Sequence, residues 1–381
     1  MNDLPKSSEV VIAGGGVIGL AVARALTLRG VKDVLVIERG TLGAEASSAA
    51  AGMLAPQAEA DAADEFFKLC CRSRDMYAQF ADALYEESGI DIELDTTGTL
   101  YLAFTEHDRE EIEHRFDWQT RAGLFVDKLS PTDLRQLEPC ISDHAIAGLK
   151  FPLDIQVENR RLVSALASFN ALAGVKLNTG TSVQSVHIER GQVKGVETSR
   201  GFVGTDTVVL AGGAWTSFIA SSDEAFPKIT IEPVRGQMIS FECNPSLTRH
   251  VIYSPRGYIV PKRDGRLLAG STTENAGFDK SVTAGAIYSV LSHALEISPT
   301  ISNLPLIGSW AGLRPRSPDD LPVLGPCAAV RGLVYATGHY RNGILLAPLT
   351  GELIAATIAD NVISPLMGAF VPDRFELAMV R

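Results

Sequence analysis

A glycine-rich turn near the start of the chain constrains the fold more than any other feature. The β-branched run at residues 10–12 predicts a strand, and apolar residues at helical spacing over residues 17–28 predict a helix. Between them, Gly14, Gly16 and Gly19 form the pattern G-x-G-x-x-G. The first glycine permits a tight turn, the second lets the backbone approach a pyrophosphate, and the third lets helix and strand pack closely. The stretch therefore predicts a strand, a turn and a helix that binds phosphate at its N-terminus.

An acidic residue follows at the position that a dinucleotide site requires. Residues 34–38 predict a second strand that ends in Glu38, about 20 residues beyond Gly19. A carboxylate there can accept hydrogen bonds from ribose hydroxyls, and Gly30 is a suitable C-cap for the preceding helix. The alternative is a glycine-rich helix entry without a ligand, but the strand, the helix and the acid together favour a dinucleotide. The pattern does not say which dinucleotide binds.

The next segment, residues 43–56, consists mainly of Ala, Gly and Ser. Small side chains are needed where a backbone lies directly against a ligand or another helix. Because it follows a nucleotide-binding pattern, we interpret the segment as a cradle for the ligand, with Ser47 and Ser48 available to its phosphates. A short Ala-rich helix packed in the interior is the alternative.

The length of the chain and the order of its patterns predict two domains. A chain of 381 residues is longer than a single hydrophobic core usually grows. Alternating strand and helix signals at 9–56, 145–215 and 333–360 are interrupted by β-rich stretches, so we predict an α/β fold whose Rossmann-like domain carries a second, β-rich α+β domain as insertions. The predicted nucleotide-binding domain comprises residues 1–88, 145–226 and 310–381, and the predicted substrate-binding domain comprises residues 89–144 and 227–309.

Composition excludes several classes of function. The net charge of -11 and the lack of a Lys/Arg run argue against nucleic acid as a partner, and the acidic runs at 59–65 and 106–113 are expected to be solvated surface. The five cysteines include no C-x-x-C pair and the seven histidines have no ligand spacing, so we expect reduced thiols and no metal.

Residues 1–8 are too short and polar for a signal peptide, and no apolar run reaches the roughly 20 residues of a membrane span. We therefore expect a cytoplasmic protein without membrane contact.

Five motifs together resemble the FAD-dependent D-amino acid oxidase superfamily. They are the glycine pattern with Glu38, ASSAAAGM at 46–53, VVLAGGAW at 208–215, PVRGQ at 233–237 and GHYRNG at 338–343. Within the superfamily, the combination of AGMLAP at 51–56 with GHYRNGILLAP at 338–348 is most similar to the glycine oxidase group of thiamine (thiazole) biosynthesis. The resemblance covers nearly the whole chain and implies that the dinucleotide is FAD, held in a domain of the glutathione reductase type.

The resemblance also implies a set of cofactor-binding residues. Those that would hold the ADP half and the flavin edge are Gly14, Gly16, Val17, Ile18, Gly19, Glu38, Arg39, Ser47, Ser48, Gly52 and Met53. Val183 would lie near the adenine, and the set is completed by Gly212, Gly338, His339, Arg341 and Asn342. The backbone of Gly343, Ile344 and Leu345 would face the flavin pyrimidine, where the helix dipole can stabilise negative charge on the reduced ring.

The attachment of the flavin is predicted from a missing cysteine. Relatives that attach flavin covalently carry a cysteine just before an S/T-P-D turn. The corresponding stretch here, residues 311–319, has none, and the nearest thiol, Cys327, lies beyond the turn. The resemblance therefore implies non-covalent FAD.

A substrate carboxylate would be bound by residues far downstream of the glycine pattern. A partly buried carboxylate needs a fixed cation that donates two hydrogen bonds, and the family's arginine maps onto Arg314 in GLRP. Tyr258 in GYIVP matches the tyrosine that hydrogen-bonds the same carboxylate, and Arg341 is expected to support the site near the flavin. The alternatives are a surface arginine in a salt bridge and a strand tyrosine with its hydroxyl in solvent. We expect His339 to pack beside the cofactor rather than act as a base.

The resemblance implies oxidative deamination of a small amino acid or amine, such as glycine, sarcosine or a small D-amino acid. Hydride would pass to flavin N5 and then to dioxygen as hydrogen peroxide, in a protein that assembles as a homotetramer. The alternatives are a D-amino acid dehydrogenase or secondary-amine oxidase that reduces a quinone, a non-catalytic flavoprotein, and an NAD-dependent dehydrogenase. The sequence does not rank the substrates, because pocket volume depends on residues such as Met53, Thr272 and Thr273.

Overall fold

The structure is a computed structural model that describes residues 4–375 except 222, 224, 225 and 228. Its strands are β1 (Val10–Ala13), β2 (Val34–Glu38), β3 (Met53–Leu54), β4 (Thr99–Ala103), β5 (Asp127–Leu129), β6 (Ala147–Phe151), β7 (Ile155–Gln156), β8 (Lys176–Thr179), β9 (Val183–Glu189), β10 (Gln192–Thr198), β11 (Gly201–Gly204), β12 (Thr207–Leu210), β13 (Glu232–Glu242), β14 (Val251–Ser254), β15 (Gly257–Pro261), β16 (Arg266–Gly270), β17 (Leu306–Arg316), β18 (Val323–Pro326) and β19 (Leu333–Thr337). Its α-helices are α1 (Val17–Leu28), α2 (Ala46–Ala49), α3 (Pro56–Glu59), α4 (Glu65–Asp75), α5 (Tyr77–Ser88), α6 (Glu106–Arg121), α7 (Pro131–Leu137), α8 (Asn159–Leu172), α9 (Ala284–Ile297) and α10 (Gly343–Ala359). Short 3-10 helices lie at Gly213–Phe218, Pro299–Asn303 and Pro365–Met367.

A six-stranded sheet with the order β18-β19-β12-β1-β2-β8 contains the predicted strands of the nucleotide-binding pattern. All neighbouring strands are parallel except β18 and β19. α1 follows β1 and α10 follows β19, so both helices begin at the carboxyl edge of the sheet, where ligands bind in open α/β folds. The two helices pack tightly, since a Cβ added to Gly351 would lie 2.7 Å from the carbonyl oxygen of Ala21.

Both faces of this sheet are covered, as parallel strands require. Because side chains alternate along a strand, Val10 and Ile12 pack with the helices on one face, whereas Val11 and Ala13 face the other. That second face is covered by residues of the antiparallel sheet β11-β10-β9, among them Val196. The buried, β-branched character of β1 follows from this arrangement.

An eight-stranded mixed sheet forms the other large layer, with the order β17-β13-β16-β15-β14-β4-β6-β5. Its neighbours are antiparallel except for β14 and β4, which run parallel. Its longest pairing joins β13 to β17, from Glu232 opposite Arg316 to Phe241 opposite Leu306. These two strands bring the PVRGQ and GLRP motifs side by side.

Two predicted domain boundaries cut through this sheet. β6 and residues 310–316 of β17 were expected with the nucleotide-binding part, yet both are strands of the eight-stranded sheet. β17 extends from residue 306 to 316 because β13 pairs with it over that length, with one register shift near residue 307, and β6 pairs with β4. The boundaries at 145 and 310 therefore do not coincide with the sheets, and the division into two domains stays a prediction.

The described residues contain neither a candidate membrane-spanning helix nor a candidate metal site. No helix in the described ranges combines the length and the apolar composition needed to cross a bilayer. Within the same part of the chain, no three His, Cys, Asp or Glu side chains are grouped so that they could hold a metal ion.

Candidate active site

Two cavities meet at the carboxyl edge of the six-stranded sheet. Cavity A has about 1150 Å³ of empty space and lies between the N-termini of α1 and α10 and the strands β13 and β17. Cavity B has about 900 Å³ and lies over the ends of β1, β2 and β12. Their walls share Gly16, Ala46, Ser47, Ala211 and Gly213, so the two cavities form one groove. The groove runs from the end of β2 to the N-terminus of α10, as an extended ligand would require.

A third and wider cavity opens from the first. Cavity C has about 1940 Å³ of empty space. Glu59, Tyr258, Tyr340, Arg341 and Asn342 line both cavity A and cavity C, so they form the passage between the two. A small molecule can reach cavity A by this route while a longer ligand occupies cavity B.

The three glycines of the turn are needed for close packing. Gly14 has a φ of +121°, and a Cβ there would lie 2.3 Å from the carbonyl oxygen of Ala211. A Cβ at Gly19 would lie 2.0 Å from the carbonyl oxygen of Gly14, so this glycine allows α1 to pack on the turn. Gly16 is the N-cap of α1 and lines both cavities, and the N–H of Val17 donates to Ser47 Oγ at 3.0 Å.

Glu38 lies at the wall of cavity B, at the end of β2. Its Oε2 accepts a hydrogen bond from the N–H of Gly15 at 2.8 Å, and its Oε1 accepts one from the N–H of Gly40 at 2.7 Å. These two bonds fix the carboxylate at the mouth of the glycine turn. Arg39 stacks on Trp215, with Cζ 3.7 Å from the ring centroid, and forms a second wall of the same cavity.

The small-residue segment is held from outside by other parts of the chain. Asn159 Nδ2 donates to the carbonyl oxygen of Ser47 at 2.7 Å, and Trp310 Nε1 donates to that of Ala49 at 3.0 Å. Gly52 has a φ of +85°, and a Cβ there would lie 2.0 Å from the carbonyl oxygen of Val157. The segment therefore forms a fixed wall of cavity A, and a side chain at Gly52 would collide with the chain packed behind that wall.

The N-terminus of α10 forms the opposite wall of cavity A. The first N–H groups of a helix have no acceptor within it, so Gly343 and Ile344 can direct theirs toward a ligand. On the protein side, Tyr77 Oη donates to the carbonyl oxygen of Ile344, and Ser73 Oγ donates to that of Leu345 at 2.6 Å. These contacts hold the first turn of the helix in place.

His339 is packed under this helix. It is 3% exposed, and its Nε2 lies 3.0 Å from Thr350 Oγ1. Burial lowers the pKa of His339 to about 3, so the ring is neutral near pH 7. The ring is therefore a weak base that packs under α10, and its role beside the cofactor stays a prediction.

Most of the cofactor residues expected from the sequence are brought together in this groove. Those that line cavity A or B are Gly14, Gly16, Val17, Ile18, Glu38, Arg39, Ser47, Gly52, Met53, Val183, Gly212, His339, Arg341, Asn342, Gly343 and Ile344. Gly19, Ser48, Gly338 and Leu345 do not. Ser48 was expected at the phosphates, but its hydroxyl donates to the carbonyl oxygen of Gly43 instead.

Arg314 carries a charge that no acidic side chain in the described ranges neutralises within 4.0 Å. Its Nη1 donates to the carbonyl oxygen of Thr272 at 3.1 Å, and its Nη2 donates to Ser271 Oγ at 2.6 Å. The guanidinium lies against Gly236, where a Cβ would be 2.3 Å from Nη1. Burial lowers the pKa of Arg314, but an arginine remains protonated. Cavity A therefore contains a fixed cation without an acidic partner.

Tyr258 lies beside Arg314 in the wall of cavity A. It is 7% exposed, so the alternative of a hydroxyl in open solvent is not what the structure shows. Within the described residues its Oη has one weak contact, at 3.9 Å, to Met238 Sδ. The hydroxyl is therefore available to a ligand that enters the cavity.

Glu59 is a site residue that sequence reasoning missed. It was assigned to a solvated acidic run, yet its side chain is 24% exposed and lines cavities A and C. Arg341 Nη2 and Tyr253 Oη donate to its Oε1, each at 3.0 Å. Burial alone would raise the pKa of Glu59, but the charge and hydrogen bond of Arg341 and the hydrogen bond of Tyr253 lower it overall. The charge of Glu59 in turn raises the pKa of Arg341.

The residues present fit a bound FAD. The groove offers a glycine turn beneath a helix N-terminus, a carboxylate beyond the second strand, and a second helix N-terminus in cavity A. Gly52, which lines cavity A, has no room for a Cβ, which would lie 2.0 Å from the carbonyl oxygen of Val157, so this part of the wall is bare backbone. This arrangement suits an extended dinucleotide with phosphates at α1 and a ring system near α10.

Comparisons with known proteins agree with this geometry. Residues 9–357 match the family described as FAD dependent oxidoreductase (DAO). The chain is 37% identical over 350 residues to glycine oxidase from Geobacillus kaustophilus, covering 91% of this chain and 92% of that protein. It is 36% identical over 376 residues to bifunctional protein ThiO/ThiG from Synechocystis, covering 97% of this chain but 54% of that protein. The chain thus spans about half the length of the bifunctional relatives.

A solved structure has the same fold. The crystal structure of glycine oxidase from Bacillus cereus superposes with a TM-score of 0.90 at 35% identity, covering 96% of this chain and 98% of that one. The predicted α/β fold and the predicted FAD cofactor are therefore confirmed, and the NAD alternative is wrong. From these matches and from the groove built by its residues, the chain belongs to the FAD-dependent oxidoreductase family, the D-amino acid oxidase superfamily that its motifs resemble.

Proposed function

We propose that this chain oxidises glycine and other small amino acids or amines with FAD. The observation that carries the proposal is Arg314, a fixed cation with no acidic side chain of the described residues within 4.0 Å, in the cavity that would also receive the cofactor. A partly buried cation of this kind is costly unless a ligand supplies the anion. The relatives named glycine oxidase support the same substrate class.

The side chains of cavity A would orient the substrate rather than exchange protons with it. Arg314 presents two N–H groups that can bind both oxygens of a carboxylate, and Tyr258 can donate a third hydrogen bond. His339 is unsuited to remove a proton because burial lowers its pKa to about 3, which makes the ring a weak base, and because its Nε2 is bonded to Thr350. The substrate amine would lose its proton to solvent after binding, and orientation of the resulting neutral amine toward the acceptor would then account for most of the rate enhancement.

FAD held in this groove would supply a two-electron acceptor, flavin N5, for the hydride of the substrate Cα, and dioxygen would be the final acceptor, with hydrogen peroxide as the product. The substrate leaves as an imine, which water converts to a 2-oxo acid and ammonia. The N–H groups at the start of α10 would stabilise negative charge on the pyrimidine side of the ring. The alternative acceptor, a quinone, would yield no peroxide.

Wider roles are proposed from the relatives alone. The bifunctional relatives are named ThiO/ThiG, which supports a place in thiazole and thiamine synthesis. Cytoplasmic location and a homotetramer stay predictions.

An oxygen-electrode panel on the purified, FAD-loaded chain tests the proposal. Glycine, sarcosine and D-alanine are each supplied, and oxygen uptake is compared with peroxide and ammonia formed. We expect turnover with at least one of them and one peroxide for each oxygen consumed. Flavin reduction without oxygen uptake would indicate the dehydrogenase, and no reduction by any member of the panel would indicate a non-catalytic flavoprotein.

A further inference from the structure

We infer that Glu59 binds the protonated amino group of the substrate, so that the site selects amino acids over hydroxy acids of the same size. The inference rests on the proposed function, in which Arg314 binds the carboxylate of the same molecule. It concerns a residue at the end of α3, in the passage between cavities A and C.

The hydrogen bonds of Glu59 leave one carboxylate oxygen available. Tyr253 and Arg341 both donate to Oε1, and no hydrogen bond to Oε2 occurs within the described residues. Since the side chain lines both cavities and is partly exposed, Oε2 is the atom that a donor in the passage can reach. The two hydrogen bonds to Oε1 fix the carboxylate and leave Oε2 able to accept a further hydrogen bond.

The carboxylate also stays ionised near neutral pH. Burial would raise its pKa, but Arg341 and Tyr253 together lower the pKa below its usual value. An ionised acceptor forms a charge-assisted hydrogen bond with an ammonium group, which is roughly twice as strong as a neutral one. A hydroxyl in the same place would form a weaker hydrogen bond, because its donor is uncharged.

Arg314 and Glu59 are opposite charges that share one cavity without forming an ion pair. Arg314 is fixed by Ser271 and Thr272, whereas Glu59 is fixed by Arg341 and Tyr253. Glu59 is paired with Arg341 through Oε1, and its Oε2 remains open to a further donor. An amino acid zwitterion carries one charge of each sign, a carboxylate for Arg314 and an ammonium group for Glu59.

The test compares glycine with glycolate, which keeps the carboxylate and replaces the amine with a hydroxyl. In the FAD-loaded full chain, the Kd for glycine is measured from anaerobic flavin reduction, and the Kd for glycolate from the change in flavin absorbance. The test variant is Glu59→Gln. The control is Asp61→Asn, which removes the same charge from cavity C, where Asp61 is 92% exposed and pairs with Arg115.

We expect Glu59→Gln to raise the Kd for glycine roughly 10- to 100-fold and to leave the Kd for glycolate nearly unchanged. Asp61→Asn should change neither. Glu59→Asp keeps the negative charge on a side chain that is one methylene shorter. It should therefore raise the Kd for glycine less than Glu59→Gln does, and leave the Kd for glycolate nearly unchanged. The flavin spectrum and the melting temperature show whether each variant is folded and loaded.

An unchanged Kd for glycine in Glu59→Gln would overturn the inference, as would an equal rise for both ligands in either Glu59 variant. Arg314→Ala separates this failure from failure of the proposed function. If Arg314→Ala raises the Kd for both ligands while Glu59→Gln leaves the ratio of the two Kd values unchanged, only the role of Glu59 is wrong. If Arg314→Ala raises the Kd for neither ligand, the proposed function itself fails.

Discussion

The indole Nε1 of Trp310 donates a hydrogen bond of 3.0 Å to the carbonyl oxygen of Ala49, which joins β17 to the wall of the cofactor cavity. The strand approaches so closely that a Cβ at Gly312 would lie 2.5 Å from Ala49 Cβ. The two features together hold residues 46–53 in the position that a flavin would contact.

Trp310→Phe should therefore weaken FAD binding. A neutral hydrogen bond contributes about 1 kcal/mol, so we expect the Kd of the apoprotein for FAD to rise roughly 5-fold. The measurement is a fluorescence titration of apoprotein with FAD. Trp118→Phe is the control, because Trp118 lines none of the three cavities, and an equal loss of affinity in both variants would contradict a specific role for Trp310.

Arg314→Ala should raise the KM for glycine by roughly 100-fold or more while FAD stays bound, because truncation removes the cation that a buried carboxylate needs. Steady-state oxygen uptake and the flavin spectrum report the two effects. Arg316→Ala is the matched control: Arg316 lies two residues further along β17 and pairs with Glu232 outside the cavities. An unchanged KM in Arg314→Ala would remove this residue from the substrate site.

Gly52→Ala should lower both the stability of the apoprotein and its affinity for FAD. The new Cβ would combine left-handed strain at φ +85° with a contact of 2.0 Å to Val157, at a cost of about 2 to 4 kcal/mol. Gly30→Ala has a similar φ of +88° but nothing within 4 Å, so it should cost about 1 kcal/mol and spare FAD binding. Urea unfolding and FAD titration compare them, and equal losses would argue against tight packing at Gly52.

His339 should make the protein less stable as the pH falls from about 6.5 toward 3. Its pKa is lowered to about 3 by burial, so the unfolded chain binds a proton that the folded chain excludes over that range. The loss cannot exceed about 1.4 kcal/mol per pH unit. Melting temperatures of the holoprotein at pH 7 and pH 5 should therefore differ less in His339→Gln than in the parent.

His107→Asn serves as the control for that comparison, because the side chain of His107 is 90% exposed. Its substitution should leave the pH dependence as it is in the parent. If His339→Gln and His107→Asn behave alike, His339 is not the source of the acid sensitivity.

Acid precipitation should release the flavin into the supernatant. No cysteine lines cavity A or B. Cys327 is buried in the apolar cluster on the face of the six-stranded sheet that β9, β10 and β11 cover. Yellow colour that stays with the precipitated protein would show a covalent bond and refute non-covalent attachment.

Local patterns predicted local structure well. Gly30, expected to end the first helix, follows α1 with a φ of +88°, and the glycine turn has the strand before it and the helix after it. These features depend on the backbone conformation of a few neighbouring residues, and the local residue types largely determine that conformation. The parallel sheet then follows from the order of strands and helices.

The burial of Glu59 could not be predicted because it depends on distant residues. Glu59 lies in an acidic run that is typical of a surface, and its burial depends on Tyr253 and Arg341, 194 and 282 residues further along the chain. Ser48 differs, because the carbonyl oxygen that accepts its hydrogen bond belongs to Gly43, only five residues earlier. A local pattern shows that a serine hydroxyl can donate, but it does not show which nearby acceptor the hydroxyl will bind.

β17 sets a length as well as a surface. Because side chains two apart share a face, Trp310, Gly312 and Arg314 point the same way along one unbroken strand paired with β13. Four residues of extended chain span about 13 Å. The strand therefore fixes the backbone distance between the wall held by Trp310 and the position of Arg314, and only a change in the backbone of β17 or β13 can alter it.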